Sequence, residues 1–319
     1  MEHTPPFSDQ DVLALRGPKH KLDAFRPYNL LHEAEPQPDG TTTAVNTIFL
    51  TNKECPFKCV MCDLWKHTLD GRTPPGAIVA QIRYALEQLP PAPIIKLYNN
   101  GNFFDPAAIP PAEYRAIAAL LQEAGAGRVI VENHPKIGRR LIPRFQQALG
   151  AEIRLEIALG IESVHPEVLP KLNKKTSVQE IADTAAFLQK HDIALRGFIL
   201  LNPPFVQPPT PDNYIYWCLK SIDFAFSHGF ETVSIIPVRG GNGMMEQLKA
   251  GRQFYDHENA TLPLPEMLLE VAEEAGRQKR GRIFVDTWDI ERFFDSSVSP
   301  ENQQRLRTRL NAINASGCL

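Results

Sequence analysis

From residue 44 onward the chain alternates two hydrophobic rhythms. Short apolar, β-branched runs recur: AVNTIFLT (44–51), IIKLY (94–98), RVIVE (128–132), EIRLEIALG (152–160), ALRGFILL (194–201) and TVSIIPV (232–238). Runs of this length without polar alternation predict strands buried on both faces. Between them apolar residues fall three or four apart, as in Ile78, Ile82, Leu86 and Leu89, and again in Val178, Ile181, Ala185 and Leu188. Those stretches, with 114–121, 139–149 and 213–228, predict amphipathic helices. Strands alternating with helices predict a parallel sheet with crossover helices. No Gly-rich dinucleotide turn follows the first strand, which favours a barrel over an open doubly wound sheet. The expected fold is α/β, a partial (β/α)6 TIM-type barrel over residues 44–240. Residues 1–43, polar and Pro-rich, are expected to form an N-terminal arm. Residues 241–319, with a helix near 265–279, a strand at RIFVD (282–286) and a helix near 300–313, are expected to form a short α-rich extension capping the barrel. In β/α barrels chemistry gathers at the C-terminal strand ends.

Composition narrows the class without naming a function. The chain has 319 residues, 43% hydrophobic and 22% charged, with a formal net charge of -3, as in a globular domain with a sizeable core. That balance lacks the basic footprint of a stand-alone nucleic-acid binder. No apolar run approaches the roughly 20 residues of a membrane-spanning helix. The N-terminus, MEHTPPFSDQDV, has no charged-then-apolar targeting pattern, so the expected location is cytoplasmic and no membrane partner is expected.

Candidate chemistry concentrates in NKECPFKCVMCD (52–63), directly after the first strand of the rhythm. Of five cysteines in the chain, Cys55, Cys59 and Cys62 lie here. A structural zinc needs four ligands, and the nearest fourth is His67. A disulfide would strand one thiol and needs an oxidising compartment. Three packed core thiols are a further alternative, although the flanking residues are largely polar. The remaining alternative is a [4Fe–4S] cluster on three thiolates, with one iron open to a small molecule. Cys218 falls in a helical apolar pattern and Cys318 is distant, so one cluster per chain is expected.

The C-x3-C-x2-C spacing at the end of a first β-strand resembles the signature of the radical S-adenosylmethionine superfamily. The resemblance implies that S-adenosyl-L-methionine chelates the open iron. It also implies that one electron splits the sulfonium to a 5'-deoxyadenosyl radical, and that the radical takes hydrogen from a substrate. The family often carries an aromatic residue before the third cysteine; here it is Met61, a position that contacts adenine largely through its backbone. NNGN (Asn99, Asn100, Gly101, Asn102) looks like the stretch that meets the cofactor's amino group. Glu162 and Ser163, ending LGIES, match the place of a ribose contact. Arg196 is expected either at the cofactor carboxylate or in a structural ion pair. The arm in this sequence is short, so no cobalamin module is expected ahead of the first strand.

NKECPFKCVMCDLW, LYNNGNFFD, VIVENHPK, LGIES, LNKK and FILLNPPF occur in that order and are similar to the Elongator-type branch, most of all to the radical subunit of archaeosine synthase. That resemblance places Glu132, His134, Asn202 and Phe205 near the radical. VRGGNGMMEQL, after the sixth strand, departs from the branch's pattern; its Arg239, Gly240, Gly241, Asn242 and Gly243 are candidates for a cofactor or an anionic substrate. Lys174–Lys175 and the basic run 277–282 read as solvated faces. The expected partners are a small-molecule or modified-base substrate and an external one-electron donor such as a flavodoxin or ferredoxin. A tRNA substrate is possible but unsupported by charge, and a non-catalytic zinc or iron–sulfur scaffold is the rival from another class.

Overall fold

A computed structural model of the chain describes residues 6–254, 262–294 and 298–318; the first five residues of the expected arm lie outside these. Eight strands form one sheet in sequence order. β2 (Thr42–Phe49), β3 (Ile94–Tyr98), β4 (Arg128–Asn133), β5 (Arg154–Glu162), β6 (Ala194–Leu200) and β7 (Thr232–Ile236) are the six strands expected from the sequence. All pair in parallel, and β8 (Arg282–Val285) adds a seventh parallel strand beside β7. Among the helices between them are α2 (Ala77–Gln88), α3 (Tyr114–Glu123), α4 (Ile142–Leu149), α6 (Val178–Lys190) and α7 (Pro211–Ser227). The result is a partial barrel with a helical C-terminal region.

The structure adds detail at both ends of the chain. The N-terminal arm packs on the barrel: after a short helix, α1 (Asp9–Ala14), it supplies β1 (Asn29–Pro36), which pairs antiparallel with the whole of β2. In the C-terminal segment, after α8 (Met244–Ala250), the expected strand β8 joins the sheet, α9 (Leu264–Arg277) packs on α7 and β8, and α10 (Pro300–Ser316) packs against both edge strands, β1 and β8. An edge strand exposes unpaired backbone groups, and α10 covers both edges at once.

Strand residues alternate faces. Ile95, Leu97, Val129, Val131, Ile157, Leu159, Leu195, Ile199, Val233 and Ile235 all belong to the main apolar core, on the face the helices cover. The opposite, interior face is mixed. Val45, Ile94 and Ile130 pack together with Tyr98 against them, and charged side chains fill the N-terminal half of the strands. Arg196 donates from Nε to Glu156 at 2.8 Å and from Nη2 to Glu35 at 3.0 Å. Lys96 pairs with Glu35 as well. Glu35 therefore ties β1 to β3 and β6 across the interior. Burial alone would raise its carboxyl, but Arg196 and Lys96 hold it far below the usual carboxylate range.

Candidate active site

The cysteine loop leaves β2 at the C-terminal mouth of the barrel and ends in a short 3-10 helix, Leu64–His67. Cys59 is buried, and Cys55 and Cys62 are half-buried. Three neighbouring strand ends hold the loop. Asn102, after β3, donates its amide to the Cys55 sulfur at 3.2 Å and accepts from the backbone of His134, after β4, at 2.7 Å. Gly101 lies so close that a Cβ there would sit 3.2 Å from the Cβ of Cys55. His134 stacks on Phe57 of the cysteine loop, ring centroids 3.8 Å apart. After β5, Leu172 O accepts from Val60 N at 3.0 Å, and Asn173 donates to Lys58 O at 2.8 Å.

Glu132 was expected at the chemistry; it lies beneath the Asn99–Asn102 turn. Its carboxylate accepts from Asn99 N at 2.5 Å and Gly101 N at 3.4 Å. Burial outweighs those bonds and raises its pKa to about 7. His134 is likewise a pillar rather than a free acid or base. Lys136 N donates to its Nδ1 at 3.1 Å, so Nε2 carries the proton and donates to Lys174 O at 2.9 Å. Burial lowers its pKa to about 3, which keeps the ring neutral. Asn100 stands in the left-handed region, φ 52°, and accepts from the Tyr28 hydroxyl at 2.9 Å. Asn99 is fully buried, and neither atom of its side-chain amide has a described partner.

Glu162 also adopts a positive φ, 62°, just past a register shift between Gly160 and Glu162. A carboxylate residue in that region is strained and needs its surroundings to hold it. Lys174 does so, pairing with Glu162 at 2.7 Å. Lys174 was read as a solvated cation, yet it is 6% exposed. A Cβ on Gly160 would lie 2.4 Å from the Glu162 Oε1 and 2.7 Å from the Lys174 Nζ, so any side chain there would push the pair from its present place. Ser163 Oγ accepts from His165 N at 3.1 Å, a local turn contact. Met61 packs partly buried on the main core.

The remaining expected site residues have described partners outside the cysteine loop. Arg196 takes the structural alternative, saturated by Glu35 and Glu156 in the N-terminal half of the barrel. Asn202 is buried and accepts from Val238 N at 2.8 Å, clipping the segments after β6 and β7 together. Arg239 pairs with Asp286 at 2.8 Å and donates to Trp288 O, on the β7–β8 side of the mouth. Asn242, in the Gly-rich loop that the sequence marks after the sixth strand, donates to Val60 O at 2.8 Å and Cys62 O at 3.2 Å.

No protein-family model matches this sequence, and no curated protein matches it by sequence. Solved structures do match. Methylornithine synthase (PylB) superposes with a TM-score of 0.53 at 13% identity, covering 83% of this chain and 69% of that one. The fold is the one shared with that enzyme. SuiB of Streptococcus suis, solved bound to S-adenosylmethionine, matches at TM-score 0.49 and 11% identity, over 74% of this chain and 48% of its own. Coproporphyrinogen III oxidase (HemN) from Escherichia coli, a radical SAM enzyme, matches at TM-score 0.45 and 16% identity, over 73% of this chain and 52% of its own. This chain thus spans about half the length of the latter two.

The donor set fits a cubane. Burial pushes the Cys59 thiol up to about 12 and raises Cys55 and Cys62 as well. Three such thiolates need a polycation to replace their protons. A cubane suits three thiolates of one short loop, because each takes a different iron. His67, the possible fourth zinc ligand, is stacked between His20 and Tyr28, at centroid distances of 4.6 and 4.7 Å. The Asn102 amide on Cys55 is the kind of hydrogen bond to sulfur that tunes iron–sulfur sites, and the unpartnered Asn99 amide offers both a donor and an acceptor to a polar ligand.

Proposed function

We propose that this protein is a radical S-adenosylmethionine enzyme. The observation that carries the reading is the C-x3-C-x2-C loop at the C-terminal end of the first parallel strand, packed by the ends of β3, β4 and β5. Cys55, Cys59 and Cys62 would hold one [4Fe–4S] cluster. Asn99, Asn100, Gly101, Asn102, Glu162 and Ser163, with the Met61 backbone, are assigned to S-adenosyl-L-methionine. When bound, the cluster supplies one electron that cleaves the sulfonium to a 5'-deoxyadenosyl radical. The chain's own residues bind, orient and shield. Glu132 fixes the Asn99–Asn102 turn from below, and the Lys174–Glu162 pair holds the β5 end in its strained shape. His134 and Phe57 brace the cysteine loop against β4. Arg196 drops out of the cofactor set.

The substrate reading is a small molecule or modified base that enters beside β6 to β8, with Arg239 at the rim. The electron comes from an external donor such as a flavodoxin or ferredoxin. The similarity to the Elongator-type branch rests on the ordered sequence blocks alone. The test is turnover: anaerobic protein mixed with S-adenosylmethionine and dithionite is expected to release 5'-deoxyadenosine, and Cys59→Ala is expected to release none. Release by Cys59→Ala at the wild-type rate would overturn the assignment.

A further inference from the structure

The N-terminal half of the barrel interior holds an unbalanced charge cluster. Among the described residues, Lys96, Arg196 and Arg282 are buried there with only Glu35 and Glu156 as buried carboxylates. Arg196 is saturated by both acids, and Lys96 is paired to Glu35. Arg282 is 1% exposed, and its one described hydrogen bond is from Nη1 to Pro36 O at 3.2 Å. Neither its Nε nor its Nη2 has a described acceptor. Thr232, 0% exposed, pairs in register with Arg282, so both side chains face the interior, and its hydroxyl also lacks a described partner.

A guanidinium does not shed its charge in a protein, and a buried cation in excess of its counter-charges is unfavourable. Burial and the nearby Arg196 cation disfavour the charged form of Arg282; Glu156 and Glu35 favour it, but both already bond Arg196, and the shift stays downward. The unpartnered donors are not scattered. Nε and Nη2 share one edge of the guanidinium, the fork that takes two oxygens of a planar oxyanion side by side. The Thr232 hydroxyl adds a third donor. A water molecule would accept from one donor and add no negative charge to a cluster in which three buried cations share two carboxylates.

We infer that the barrel floor binds a small planar oxyanion, of the size of formate, nitrate or bicarbonate, on the Nε/Nη2 edge of Arg282 with the Thr232 hydroxyl. The bound anion neutralises the third buried cation. It also stiffens the seam where Arg282 of β8 reaches Pro36 of β1 beneath α10. This site is separate from the cysteine loop and does not depend on the proposed chemistry there.

The test is thermal unfolding of the full chain at fixed ionic strength, with formate replacing a bulky sulfonate. The wild type is expected to gain stability saturably with formate, as for a ligand bound to the folded state alone. Thr232→Val removes one donor and is expected to weaken the apparent formate affinity about tenfold. Arg282→Met is expected to lose the saturable response; should it fail to fold, Thr232→Val decides. A wild type with no saturable response, or equal formate dependence in wild type and Thr232→Val, overturns the inference. Stabilisation by formate and nitrate but not by longer carboxylates marks a closed site for a free ion. Stabilisation by propionate too marks one that takes the carboxylate end of a longer molecule through the barrel.

Discussion

At the scale of single residues, the site is governed by groups whose contacts leave one workable choice. Gly101 is one. Its missing Cβ lets the β3 turn touch the cysteine loop, and a methyl group 3.2 Å from the Cys55 Cβ forces one of the two backbones away. Gly101→Ala is expected to fold with near-wild-type stability but to retain less iron after anaerobic reconstitution, measured as iron per chain. Glu132 is another. Its folded pKa of about 7 lies above the 4.5 of an unburied glutamate, so the native state holds its proton more tightly than the unfolded chain does. The stability from that proton is fully present below pH 4.5 and is lost as pH rises through about 7. Glu132→Gln keeps an acceptor for the Asn99 and Gly101 amides and does not titrate. Denaturant titrations at several pH values are therefore expected to show a weaker fall in stability between pH 4.5 and 7 in the variant than in the wild type. The three cysteines were legible because their spacing is local. Lys174 was not, because no local period marks it: its role comes from its contact with Glu162. Asn242 was legible only as part of a Gly-rich loop, because its partners, the cysteine-loop carbonyls, are distant in sequence.

At the scale of elements, the six central strands were legible because strands covered on both faces read as unbroken apolar runs. IIKLY matches β3 end to end. β1 was not legible. NLLHEAEP carries His32, Glu33 and Glu35, a composition that reads as an exposed arm, yet Glu35 points inward and is neutralised there. The ion cluster, not apolar burial, docks this strand's end inside the barrel. Glu35→Ala leaves Lys96 without its partner and Arg196 with one carboxylate. Removing one member of a buried ion pair costs about 3–5 kcal/mol, so the unfolding free energy from denaturant titration is expected to fall by that order. A loss below about 1 kcal/mol would mean that the cluster is solvated and that β1 is held by its ladder alone.

At the scale of the whole molecule, the barrel divides its labour along the strand axis. The N-terminal half is a buried ion cluster bridged by Glu35 and Glu156. The C-terminal mouth carries the cysteine loop, and the ends of β3, β4 and β5 each touch it through a named hydrogen bond or ring stack. The loop after β7 closes on it from the other side through Asn242. Rigid elements meet one loop from several directions, as a centre that must hold a cofactor in one geometry requires. The most direct measurement of the central claim is metal analysis of protein purified and reconstituted without oxygen. About four irons per chain with matching sulfide, no stoichiometric zinc, and loss of the iron in Cys55→Ala, Cys59→Ala and Cys62→Ala are the expected results. One tightly held zinc per chain, or iron retained when all three cysteines are replaced, would contradict the account.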